Sequence, residues 1–234
     1  MRDPSPASAS PEPSADLPSR ARTLALELHA GQVRKGSGIS YVEGHLDPVA
    51  ALVRGAGGTD AQIAAAYLHD AAEDAGGTAT LDRIAAEVDP HVAELVAALS
   101  DSLVDTTSDI AKVPWLERKP GYVEKLAGEP DEVLEVSVAD KLQNASSFLA
   151  DYRGAGPETW VRFNESRAEY QLWYYEALAR VFRERLPDHP LTAELTTVLA
   201  AVRELVRADV PDIDERIDAA FADVAGRGGS GGAA

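Results

Sequence analysis

The sequence predicts an all-α fold, and three observations predict it. Apolar residues recur at helical spacing through most of the chain, helix-start and helix-stop residues punctuate almost every segment, and no stretch sustains the period-two alternation of β-branched residues that a strand requires. With 234 residues, 45% of them hydrophobic, the chain can bury one full-sized core with an appendage, so a single active site is expected.

The elements follow in order. Met1 to Asp16 is rich in Pro, Ser and Ala and lacks the basic-then-apolar pattern of a secretory signal, so residues 1–17 are expected to be a disordered leader. A first helix is predicted from Leu17 to Gln32 on the Leu24 and Leu28 stripe, broken by Gly31, Gly36 and Gly38. Asp47-Pro48 reads as an N-cap followed by proline at the first helical position, opening a short helix that Gly55, Gly57 and Gly58 close. Thr59-Asp60-Ala61-Gln62 matches a capping box, and the helix it starts should run to Asp74 before Gly76-Gly77. Short helices are expected over Leu81 to Val88 and, after the cap Asp89-Pro90, over His91 to Leu99, with a polar loop from Asp101 to Val113. Trp115 to Leu126 should be helical with a kink or interruption at Pro120-Gly121. Strong periodicity then predicts a helix from Asp131 to Asp151 and another from Glu158 to Leu186. Weaker helices near Ala193 to Val206 and Ile213 to Val224 form an extension, and Arg227 to Ala234 reads as a Gly-rich flexible tail.

Composition narrows the function. The longest apolar runs fall far short of the roughly 18 to 20 residues a membrane span needs, so no membrane partner is expected. The formal charge of −17 repels a polyphosphate backbone, which argues against a nucleic-acid polymer. A small phosphorylated substrate stays open, because a metal ion and a few basic residues can reverse the potential inside a cleft. The absence of cysteine excludes disulfides, thiolate nucleophiles and Cys-ligated zinc, leaves His and carboxylates as metal ligands, and fits a cytoplasmic address.

The chemistry gathers around His69-Asp70. A charged pair set between Ala65-Ala66-Tyr67-Leu68 and Ala71-Ala72 needs a partner to offset its burial, and metal coordination satisfies both groups. Adjacent helical side chains diverge by about 100°, so one ion can take both only beside the helix, with other helices completing its shell. His29 and Asp140, each flanked by small or apolar residues, are the candidates. Two imidazoles and two carboxylates suit manganese, iron or zinc better than calcium. Glu73 and Asp74 follow at the same helix end, and Tyr170, Trp173 and Tyr174 form an i, i+3, i+4 stripe that reads as core.

Three segments, His29-Ala30-Gly31-Gln32-Val33-Arg34-Lys35-Gly36, Tyr67-Leu68-His69-Asp70-Ala71-Ala72-Glu73-Asp74 and Val138-Ala139-Asp140-Lys141-Leu142-Gln143-Asn144, resemble the HD superfamily. The likeness covers about Ala21 to Phe163 and is strongest to the hydrolase domains of the RelA/SpoT family and their small stand-alone relatives. It implies an HD-domain helical bundle over residues 18–187, with a helical extension over 188–226 and the tail over 227–234. It further implies one divalent metal, manganese in these hydrolases, held by His29, His69, Asp70 and Asp140. Glu73 and Asp74 would then face the water that the metal activates. Arg34, Lys35, Lys141 and Asn144 would face the nucleotide or its phosphates, and Trp115, Arg118, Lys119 and Tyr122 resemble a further basic and aromatic stretch of the family.

The chain departs from the family's pattern at three places. Ser40-Tyr41-Val42-Glu43-Gly44-His45-Leu46 stands where Pro-Tyr-Ile-x-His-Pro is common, which leaves the role of His45 open; Ala75 replaces a Thr, and Gln143 a His. The resemblance favours metal-dependent removal of the 3′-pyrophosphate from guanosine tetra- or pentaphosphate. Two alternatives stand beside it: an HD phosphomonoesterase for another nucleotide or phosphorylated cofactor, and a nucleotide-binding HD module without turnover.

Overall fold

The computed structural model describes residues 16–34, 38–103 and 113–228. Eleven α-helices, one π-helical turn and one 3₁₀ segment make up the secondary structure of these residues, with a single isolated bridge between Val33 and Ser40. None of the helices is long and apolar enough to cross a membrane.

Helix α1 (Leu17–Leu28) starts where the Asp16 carboxylate accepts from the Ser19 amide, and it ends earlier than the sequence predicts, with His29 as its C-cap. The chain then doubles back. Main-chain bonds from Arg34 to Ile39 and from Tyr41 to Gln32 set Gln32 to Arg34 beside Tyr41.

A π turn over Val42–Leu46 runs without a break into α2 (Asp47–Gly55). Asp47 is therefore not the N-cap that its proline neighbour suggested; its carboxylate instead takes a bidentate pair from Arg22 at 2.7 and 2.8 Å. Pro48 has no N–H to offer the carbonyl of Gly44, and that carbonyl accepts from the side chain of Gln143. Gly44 lets the Arg34 side chain pass close by, since a Cβ there would lie 3.2 and 3.3 Å from it.

The capping box forms as the sequence predicts, and α3 (Asp60–Leu68) is buried along its length from Gln62 to Leu68. Three fully buried alanines, Ala64 to Ala66, let neighbouring helices approach it closely. The helix stops at Leu68 rather than Asp74. His69 and Asp70 form a loosened turn, Asp70 at φ −92° and ψ −8° in the bridge region, before the short α4 (Ala71–Asp74). Gly76 and Gly77, both at positive φ, then turn the chain into α5 (Thr78–Glu87). Asp89 caps α6 (Pro90–Leu99) by accepting from His91 and Val92.

Helix α7 (Trp115–Gly128) passes through Pro120 without interruption. Helix α8 (Asp131–Ala155) is the spine of the molecule, packed against α2, α3, α6, α9 and α10. The single long helix predicted after it is two elements, a 3₁₀ segment over Gly156–Arg162 and α9 (Ala168–Arg185). Aromatic packing explains the split: the Trp160 ring lies 4.5 Å from that of Phe148 and also meets Tyr152 and Phe163, which holds the segment against α8. Helices α10 (Pro190–Asp209) and α11 (Ile213–Gly228) pack on α8 and α9, tied to each other by Arg203 and Arg207 on Asp214.

Because α3 delivers His69 and Asp70, its cap bears on the site. Thr59→Ala removes the acceptor for the Gln62 amide and should destabilise the fold by about 1 kcal/mol, read as a lower urea midpoint at unchanged slope.

Candidate metal centre and active site

Four ligand atoms converge at the junction of the π turn, the α3–α4 turn and the middle of α8. His45 Nε2 and His69 Nε2 are 3.2 Å apart. Asp70 Oδ2 lies 3.3 Å from the first and 3.2 Å from the second, and Asp140 Oδ1 lies 3.3 and 3.4 Å from the same two nitrogens. His45, His69 and Asp140 are almost fully buried.

The hydrogen bonds around the imidazoles decide which nitrogens carry protons. His69 Nδ1 lies 2.8 Å from the Ala66 carbonyl, which can only accept. His45 Nδ1 lies 2.7 Å from Gln143 Oε1, and the amide nitrogen of Gln143 is committed to the Gly44 carbonyl and the Ser147 hydroxyl. Both Nδ1 atoms therefore donate, and both Nε2 lone pairs face each other and two carboxylates. Among charged species, a cation satisfies all four at once. The field points the same way: burial resists protonation of both histidines, yet Asp70 and Asp140 outweigh it and raise both imidazole pKa values. The two carboxyl groups are held well below the usual carboxylate range against the opposing effect of burial, Asp70 by His69 and His45, Asp140 first by Lys141 and then by the same histidines. The residues thus fit a divalent metal on donor chemistry alone.

His29 is not one of the converging groups. As the C-cap of α1 it turns its Nδ1 to Gln32 Oε1 at 2.7 Å, and Gln32 in turn donates to Asp74 Oδ2 at 3.2 Å. The His29 ring packs against Tyr41, which packs against His45, and His29 Nε2 is buried without a partner. His45, left open by the sequence, stands where His29 was expected. The signal that could have found it is the i, i+4 pair Tyr41 and His45 with apolar Val42 and Leu46, all partly or fully buried. Tyr41 also donates its hydroxyl to Asp70 Oδ2 at 2.5 Å.

A pit of about 170 Å³ opens beside the cluster, lined by His69, Asp70 and Asp140 together with Glu73, Asp101 and Tyr122. Burial, reinforced by the nearby Asp101 carboxylate, pushes the Glu73 carboxyl up to about 7. The pit adjoins a chamber of about 510 Å³, and Tyr41, Lys119, Lys141, Asn144 and Tyr174 wall both. Tyr174, read from the sequence as core, thus also faces the cleft. Arg34, Asp74, Trp115 and Arg162 line the larger chamber. Asn144 ties the two regions together, donating to Asp140 Oδ1 at 2.6 Å and accepting from Arg34 at 3.3 Å, while the Lys141 ammonium contacts Asp140 Oδ2. Arg118 pairs with Asp101 instead of facing the chamber, and Lys35 lies outside the described residues. A larger groove, about 730 Å³ between α2, α8 and α10, offers one carboxylate, Glu194, among mostly apolar and small side chains, so chemistry rather than size locates the site.

The HD-domain family model matches residues 21–160, and the chain belongs to the HD-domain family. It is on that ground a metal-dependent phosphohydrolase. Among solved structures it is similar to lmo0812 from Listeria monocytogenes EGD-e, at 26% identity and a TM-score of 0.58 over 68% of this chain and 97% of that one. It also shares its fold with a metazoan ortholog of SpoT that hydrolyses ppGpp and plays a role in starvation responses, at 21% identity and a TM-score of 0.61 over 82% of this chain and 97% of that one. No curated protein sequence matches the chain.

Metal addition separates the two histidine sets. A divalent cation at about a hundredfold excess over its Kd should stabilise chelator-treated protein by roughly 2.7 kcal/mol in a thermal unfolding scan. His45→Ala should abolish that gain, and His29→Ala should keep most of it.

Proposed function

We propose that the chain hydrolyses a nucleotide phosphate ester and that its substrate is a guanosine 3′,5′-bis(diphosphate), from which it releases pyrophosphate. The observation that carries the reading is the joining of the four-ligand cluster to a basic, aromatic-walled chamber through the shared side chains of Lys119, Lys141 and Asn144. Family membership, and the shared fold with a protein that hydrolyses ppGpp, support it.

His45, His69, Asp70 and Asp140 would hold one divalent ion, with manganese the ion that the family likeness favours. When bound, such an ion makes hydroxide available near neutral pH and neutralises phosphate oxygens. The remaining work falls to side chains of this chain. Glu73, in the pit and one turn beyond Asp70, exchanges a proton with the reacting water or the leaving oxygen. Asp74, tethered through Gln32, orients the approach from the chamber side. Lys141 and Lys119 set positive charge at the neck between the two spaces, where a phosphate would sit, and Arg34 presents a fork-shaped donor set beside Asn144. Trp115, Tyr174 and Tyr175 give the chamber flat apolar faces suited to a nucleoside. Tyr41 keeps the Asp70 carboxylate in one orientation.

Hydrolysis of guanosine tetraphosphate by manganese-loaded protein, with both phosphate products quantified, tests this. Pyrophosphate should appear only with metal. His45→Ala and Asp70→Ala should abolish turnover, and Glu73→Gln should lower kcat by roughly 10²- to 10⁴-fold. Arg34→Ala should raise KM with a smaller effect on kcat. Orthophosphate as sole product would instead assign a phosphomonoesterase. Binding without turnover by the metal-loaded protein would assign a nucleotide-binding module.

A further inference from the structure

The Glu73 carboxyl does not stand alone in the pit. The main-chain N–H of Asp101, in the segment after α6, donates to Glu73 Oε1 at 2.9 Å. The Asp101 side chain is 1% exposed, and its Oδ2 is gripped by two cations of α7, Arg118 and Lys119. Lys119 is itself fixed over the rings of Tyr122 and Tyr174, 5.4 and 5.0 Å from their centroids. Asp101 Oδ1 is buried without an N–H or hydroxyl partner, and the Glu73 carboxyl lies within hydrogen-bond reach of the Asp101 side chain. A buried carboxylate oxygen without a donor is costly, and an adjoining carboxylic acid would supply one.

We propose that Asp101 is the positioning residue for Glu73, its amide fixing Oε1 in place and its buried Oδ1 favouring the protonated acid turned into the pit, with Arg118 and Lys119 keeping Asp101 anionic. The inference rests on the proton-handling role assigned to Glu73 above. It gives a role to the Asp101, Arg118 and Lys119 ion cluster, two members of which line the pit. One turn of a short helix cannot aim a flexible glutamate by itself; a main-chain donor and a clamped carboxylate can.

The other charged groups around Glu73 are Asp70 on its own turn and, across the pit, Asp140 and Lys141 of α8. Burial first, then the charges of Asp101 and Asp70, favour the protonated form, while the Asp101 main-chain N–H and Lys119 oppose it. Removing the Asp101 charge should therefore lower the pH at which Glu73 loses its proton, and removing the Lys119 charge should raise it. A residue that merely packs the pit would not give shifts of opposite sign.

The test is an infrared titration of the carboxylic-acid C=O band in the full chain loaded with manganese, which needs no substrate. The band absent from Glu73→Gln identifies Glu73. Its midpoint should fall by at least one pH unit in Asp101→Asn and rise in Lys119→Gln, the second variant also serving if the first fails to fold. With guanosine tetraphosphate, Asp101→Asn should lower kcat by roughly tenfold or more at nearly unchanged KM. Unmoved midpoints, or shifts of the same sign in both variants, overturn the inference even if Glu73→Gln is inactive. Full turnover by Glu73→Gln would instead overturn the role of Glu73 itself, whatever Asp101 does.

Discussion

Two imidazole nitrogens 3.2 Å apart, each met by two carboxylate oxygens at 3.2 to 3.4 Å in the interior of a helical bundle, set the constraint on which the rest of the structure depends. Buried charges of one sign are tolerated only when a counter-charge meets them, and removing one partner from such a set typically costs several kcal/mol. Much of the surrounding architecture serves to keep these atoms converging. The missing N–H of Pro48 leaves the Gly44 carbonyl for Gln143, Gln143 then presents its oxygen to His45, and His45 is left with its Nε2 lone pair inward. Gln143, which stands where the resemblance has His, is thus absorbed into the site, because its amide oxygen accepts from His45 Nδ1.

Helix α8 converts this constraint into a binding site. Asp140 and Asn144 lie one turn apart on one face, Lys141 flanks Asp140, and Gln143 reaches round to the π turn, so a single rigid element supplies a carboxylate of the cluster, a cation at the neck of the chamber and the support of His45. Its burial against five other helices explains how that placement is held. The charge of the whole chain, −17, says little about the cleft, where Lys119, Lys141, Arg34 and Arg162 gather. Such opposed global and local fields are compatible with the small phosphorylated substrate proposed above.

The elements that sequence reasoning placed well are those whose boundaries are set by local chemistry. The Thr59 capping box, the Asp89 cap and the Gly76-Gly77 stop each act within one turn of their own residues. It failed where a distant contact overrides local preference. Aromatic packing of Trp160 on Phe148 splits a predicted helix, Asp47 is drawn to Arg22 rather than capping α2, and the helix through His69-Asp70 loosens at the cluster.

Sequence alone determined the helical class, because periodicity and caps are local, and it singled out three of the four residues that converge, because His69-Asp70 and Asp140 are conspicuous within apolar helices. Only the tertiary structure decided which second histidine meets them. His29 and His45 both precede the His-Asp pair, both are buried, and both donate through Nδ1 to a glutamine. They differ in the direction their backbone turns them: His29 caps α1 and packs behind Tyr41, whereas the π turn carries His45 to within 3.2 Å of His69. The i, i+4 spacing of Tyr41 and His45 marks a buried helical face, but the direction of that face depends on long-range contacts with Gln143 of α8.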